Sequence, residues 1–164
     1  MRWRAIALAS LVLAGCATPP TTIAVDIETS ARRGRGVIVG PRTVLTVCHV
    51  VSGTDEVEVD GLRARVVARH LHATETGDDG LAVLELEEGV FPAERIGQLA
   101  EAAGPGVTYV PRRGECPWPW GLQPGDSGSP ILDARRRVTG LVRAVFGRAE
   151  PLDKNVSFGS KGDG

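Results

Sequence analysis

The chain has 164 residues, room for one domain or a small two-lobed unit and too few for several independent ones. Hydrophobic residues make up 42% and charged residues 24%, a globular composition that excludes disorder as the state of the whole chain. With 19 basic residues against 20 acidic ones the net charge is −1, so charge gives no reason to expect a nucleic-acid partner.

The first elements in chain order are a leader and a tether. "MRWR" supplies positive charge, and "AIALASLVLA" supplies an apolar run too short to span a bilayer as a mature helix. It ends in "LAGC", which resembles the lipobox of bacterial lipoproteins, in which the cysteine takes lipid on its sulfur and becomes the new N-terminus. Residues 1–15 therefore read as a signal peptide, and 16–22 as a lipidated Cys16 followed by a proline-stiffened tether. The resemblance implies a membrane partner through Cys16 and a location in the cell envelope, on an extracytoplasmic or periplasmic face. Ala17 after the cysteine points to the outer membrane where there is one.

From Ile23 the chain breaks into short apolar runs: "IAVDI", "GVIVG", "TVLTV", "VEV", "RARVVARHL" and "LAVLEL". They are β-branched and alternating, and "DG" at 60–61 has the residues of a tight hairpin turn. Six such strands can close on themselves as a small antiparallel barrel, which removes the exposed edges. Residues 23–90 read as this first lobe. Beyond it, 94–103 fits either a helical segment or a loop. "GVTYVP" (106–111) reads as a strand and "ECPWPWG" (115–121) as a proline-stiffened loop. "SPILD" and "RVTGLVRAVFG" read as a hairpin turning at "ARR". Residues 91–150 form the expected second lobe, and 151–164 a polar, Gly-rich, flexible tail.

Two segments carry chemistry. "GRGVIVGPRTVLTVCHVV" (34–51) places His49 at the end of a strand, and "LQPGDSGSPI" (122–131) places Ser127 between glycines. With "GLAVLEL" between them, they resemble the histidine, acid-strand and serine segments of chymotrypsin-fold (trypsin-like) serine proteases, in the family's order. The bacterial HtrA-type enzymes are the nearest in flavour. The resemblance implies an all-β, two-lobed antiparallel β-barrel fold, its second barrel shortened because the interval from His49 to Ser127 is short for the family. It also implies a peptide or protein substrate and no cofactor or metal.

A serine hydroxyl is a poor nucleophile at neutral pH without an adjacent base, and an imidazole titrates where a base is needed. The implied roles are His49 as base, Ser127 as nucleophile, and the Gly125 and Ser127 N–H groups as oxyanion donors. Asp126 would help hold the loop. The family's orienting acid directly precedes the "LAVL" strand, where this chain has Gly80. Asp79 and Asp78 stand one and two places earlier. In a straight strand Asp79 would face away from His49 and Asp78 would face it from one strand repeat away. A glycine bulge would bring Asp79 round, so Asp79 is the first candidate. The alternative reading is a catalytically silent scaffold that binds a peptide or an envelope protein.

The family's primary pocket would lie near Gly121 and Leu122, with no acid to select Arg or Lys. Trp118 and Trp120 could line a cleft or pack. His70 and His72 share a strand face with Asp78 and Asp79 nearby, but nothing completes a zinc pattern, and solvent-facing histidines are the simpler reading. Cys48 and Cys116 could pair outside the cytoplasm, although two buried free thiols acting as small hydrophobes are the slightly favoured reading.

Overall fold

Valines and isoleucines alternating with polar residues organise the first half of the chain. The computed structural model describes residues 23–71, 80–102, 104–143 and 156–157. Six strands lie in the first lobe: β1 (Ala24–Glu28), β2 (Arg33–Ile38), β3 (Thr43–Val47), β4 (Glu56–Val59), β5 (Leu62–Leu71) and β6 (Leu81–Leu86). In β4, for example, Val57 and Val59 are buried while Glu56 and Glu58 face out, the period-2 pattern of a half-buried strand. All pairings are antiparallel, and the strands close into a barrel in the order β1-β2-β3-β6-β5-β4. Closure comes where β1 meets β4, with Ile27 opposite Val59. The β4–β5 hairpin turns at Asp60 and Gly61, both at positive φ, as the "DG" pair predicts.

The second lobe is smaller. It is a five-stranded sheet built from β7 (Thr108–Tyr109), β8 (Cys116–Pro117), β9 (Pro130–Leu132), β10 (Val138–Leu141) and β11 (Val156–Ser157), in the order β11-β10-β9-β7-β8. The β9–β10 hairpin turns through residues 134–136, as expected, with Arg136 at positive φ. The Asp133 carboxylate accepts the Arg135 and Arg137 N–H groups, which fixes that turn.

The segment after the first lobe, open between helix and loop in the sequence, is a loop. One 3-10 turn covers Ala93–Arg95, and the backbone then runs between the lobes. Its donors are taken from outside the segment: Gly97 N–H donates to the Ile38 carbonyl at 2.7 Å, and Ala100 N–H to the Val138 carbonyl at 2.9 Å. A helix would need those same N–H groups internally.

Buried side chains from both lobes form one core. Val25, Ile27, Val37, Val44, Leu84 and Leu86 of the barrel join Val110, Leu132, Val138 and Leu141 of the second sheet. Each such burial stabilises by roughly 1.5–3 kcal/mol, and most come from the barrel, so the barrel is the platform against which the smaller sheet is held. A satellite cluster of Tyr109, Ile131 and Val142 lies under Cys116, Trp118 and Leu122.

Candidate active site at the seam of the two lobes

His49 sits on a 3-10 turn, Cys48–Val51, into which β3 runs directly. The turn is anchored by what flanks the histidine. Val50 and Val51 are buried, and Cys48 is tied on three sides. Its N–H donates to the Gly80 carbonyl at 3.0 Å, its thiol to the Leu81 carbonyl at 3.3 Å, and its sulfur accepts the His70 N–H at 3.1 Å. Arg32 donates from its guanidinium to the His49 carbonyl. The imidazole-bearing residue is thus half-buried on a turn held by three neighbouring strands.

Ser127 sits in the loop between β8 and β9 and is only 5% exposed. Tight turns shape this loop: Asp126 N–H donates to the Gln123 carbonyl at 3.1 Å, and Ser129 N–H to the Asp126 carbonyl at 3.0 Å. Gly125 and Gly128 both hold positive φ, at 92° and 86°, where a side chain would be strained. The Gly125 N–H meets no acceptor among the described residues.

What brings the two segments together is β2. Arg35 N–H donates to the Ser127 carbonyl at 2.7 Å. One residue earlier, a methyl on Gly34 would fall 2.6 Å from Val50 and 3.0 Å from the Ser127 carbonyl oxygen. The residue next to His49 and the backbone of Ser127 therefore pack on the same glycine. Gly34 is thus a seat for both halves of the site, whereas a side chain on Gly36 would run into Ile27, Val44 and the Leu45 carbonyl of the barrel.

Asp126 is 4% exposed and fully engaged. Arg113 grips it with two parallel hydrogen bonds, at 2.7 and 2.9 Å, and the Gln123 N–H adds a third at 2.8 Å. The same guanidinium donates to the Tyr109 hydroxyl and to the Gly121 carbonyl. Its hydrogen bond to Asp126 pushes the Arg113 pKa further up. Burial pushes the Tyr109 hydroxyl up to about 12, against the pull of the Arg113 charge. The phenol therefore stays protonated, and donates to the Trp120 carbonyl at 2.8 Å. Asp126, Arg113 and Tyr109 form one network that fixes the loop from 120 to 127.

Asp79 and Asp78 lie outside the described residues, as do His72 and Cys16. Gly80 is described, with φ at 90°, so the backbone is not extended where it enters β6. The face-by-face alternation that would turn Asp79 away holds only in extended backbone. An L-residue at position 80 would be strained.

Three comparisons bear on the architecture. No family model matches the chain, and no curated protein matches it. Among solved structures, the Rv3671c protease of M. tuberculosis, in an inactive form, is 23% identical with a TM-score of 0.53, over 74% of this chain and 77% of that one. A Glu endopeptidase is 14% identical with a TM-score of 0.58, over 82% and 84%. The HtrA-type protease AlgW is 20% identical with a TM-score of 0.52, over 74% of this chain and half of its own. The fold is that of the trypsin-like serine proteases.

Within this trypsin-like fold the sequence-predicted pocket residues have structural partners. The Gly121 carbonyl accepts from Arg113, and Leu122 packs on the satellite cluster. Trp118 meets Tyr109 edge-on, with ring centroids 5.7 Å apart, and so packs. Trp120 is 74% exposed. Cys48 and Cys116 are not joined in a disulfide. Among the described residues no group of three or more metal-ligating side chains is found, and no helix is long and apolar enough to cross a membrane. Arg113 escapes sequence reasoning altogether. "VPRRGE" reads as surface charge, and nothing in its spacing points to Asp126 thirteen residues on.

Proposed function

We propose that this protein is a serine endopeptidase that works through an acyl-enzyme. The observation that supports this is the packing of the His49 turn and the Ser127 loop on the same residue, Gly34, with Arg35 beside it holding the Ser127 carbonyl, within a trypsin-like fold. In the proposed reaction the Ser127 hydroxyl attacks a peptide carbonyl while His49 takes its proton. The Gly125 and Ser127 N–H groups receive the oxyanion; one such donor is worth about 10²–10³ in rate. Expulsion of the amine takes the proton from His49 and leaves an ester on Ser127. Water, activated by the same imidazole, then releases the acid. Asp79 is the proposed orienting acid, a role that rests on sequence position. That the similar solved structures include an endopeptidase and an HtrA-type protease supports peptide or protein substrates.

The test is labelling of the full detergent-solubilised chain with a fluorophosphonate probe. The natural chain should label, Ser127→Ala should not, and His49→Ala should slow labelling by at least about 10³-fold. Absence of labelling in the natural chain would favour the second reading, a peptide-binding scaffold without turnover. Gly80 at the family's acid position is the feature that favours that reading.

The order of basic start, apolar run and "LAGC" supports lipid attachment at Cys16 and a place on the cell envelope, since several acyl chains hold firmly where one does not. The natural chain should then sediment with membranes and Cys16→Ser should stay in the soluble fraction. Equal partitioning of the two would remove this anchor.

A further inference from the structure

A cleft of about 400 Å³ opens beside Gly125, lined by Arg33, Arg112, Arg113, Gln123, Pro124 and the engaged Asp126. Three of these residues are arginines, and they come from both lobes: Arg33 begins β2, while Arg112 and Arg113 follow β7. Their positive charge is only partly met. Arg113 is matched by Asp126. The remaining two share Asp26 and Glu28 with Arg35: Arg33 reaches Glu28 at 3.3 Å, Arg112 reaches Asp26 at 3.1 Å and Glu28 at 3.9 Å, and Arg35 also binds Asp26. Among the described residues, three guanidiniums thus share two carboxylates, leaving one positive charge in excess beside the cleft.

Donors are in excess as well as charge. A guanidinium carries five N–H groups in a planar fork suited to a carboxylate, and the contacts of Arg33 and Arg112 use a minority of theirs. Both side chains are open to solvent, at 69% and 50% exposure, so a ligand reaches them without displacing protein. Gly125, the proposed oxyanion donor, is itself part of the lining, so the cleft borders the candidate site.

We infer that this cleft is a substrate subsite that takes an acidic side chain of the peptide close to the scissile bond. The inference rests on the endopeptidase reading, because the cleft matters to cleavage only if Ser127 is the reacting group. A neutral isostere, Gln in place of Glu, forfeits the charge-assisted hydrogen bonds and should be disfavoured about tenfold. The preference should weaken as salt rises, since the arginines are solvent-facing.

The experiment uses the full chain and peptides capped as C-terminal amides, so that the only carboxylate is the Glu side chain. Glu is walked through the positions on either side of the cleaved bond, each peptide matched by a Gln control, and kcat/KM is measured for both. The Glu/Gln ratio should reach about ten at one position and fall toward one in Arg33→Gln and in Arg112→Gln. The ratio within each variant is the readout, so a general loss of activity does not imitate the effect. If the natural chain labels with fluorophosphonate yet treats Glu and Gln peptides alike, the subsite is wrong and the endopeptidase reading stands. If the natural chain does not label, the hydrolase reading fails, and the cleft is judged by binding of the same peptide pairs by fluorescence anisotropy. A Glu preference there that Arg33→Gln abolishes upholds the acidic-ligand site, and equal binding overturns it.

Discussion

At the scale of single residues, the site depends on side chains that are missing. Gly128 follows the candidate nucleophile at φ 86°, and a methyl there would fall 1.8 Å from the Arg35 carbonyl oxygen and 2.7 Å from the Thr46 hydroxyl. That hydroxyl already donates to the Arg35 carbonyl at 2.8 Å. Neither neighbour can give way easily, since one is barrel backbone and the other is buried. Gly128→Ala should therefore cost at least about 2 kcal/mol, combining an unfavourable φ with the overlap. For a chain of this size that corresponds to a fall in Tm of roughly 6 °C or more, measurable by thermal unfolding. An unchanged Tm would mean that the serine loop does not press on β2 as described. Gly80 follows the same logic from the other direction. Placing the family's acid there by mutation would strain the backbone before it could orient His49.

At the scale of elements, the first lobe was the legible part. "TVLTV" and "LAVLEL" became β3 and β6 with the bounds their apolar runs suggested, because five or six alternating residues are enough for period 2 to be recognised. β7 and β8 are two residues each, too short to carry any period, and Pro117 within β8 disguises a paired segment as a loop. The run at 94–102 has helical composition, but its N–H groups are claimed by Ile38 and Val138, a tertiary demand that local sequence does not record. For the candidate site, the segments of His49 and Ser127 stood out because their neighbours form motifs. Arg113 was not, since what makes it matter is a carboxylate brought to it by folding. Arg32, which binds the His49 carbonyl, was hidden for the same reason.

At the scale of the whole molecule, charge ties the lobes together. Asp26 on β1 binds Arg35 of the same barrel and Arg112 of the second lobe. Burial alone would raise its pKa, but the hydrogen bonds and charges of Arg35 and Arg112 outweigh that and hold the carboxyl below its ordinary 3.8. Glu115 is likewise held below its ordinary 4.5: burial pushes it up, and hydrogen bonds from Arg136 and Thr108 overcome that. A carboxyl whose folded pKa is depressed stabilises fully above its unfolded pKa, and that stability is lost as pH falls through the folded value. Unfolding midpoints should thus be flat above about pH 5 and decline below 4. Asp26→Asn should lower the midpoint at neutral pH by roughly 3 °C and make the acid decline shallower. An identical acid decline in natural chain and variant would show that the inter-lobe pair does not contribute.

The counter-charge for the serine loop is supplied from inside its own lobe, by Arg113. The shape of that loop is therefore set by a charge pair closed within the second lobe, between residues thirteen positions apart.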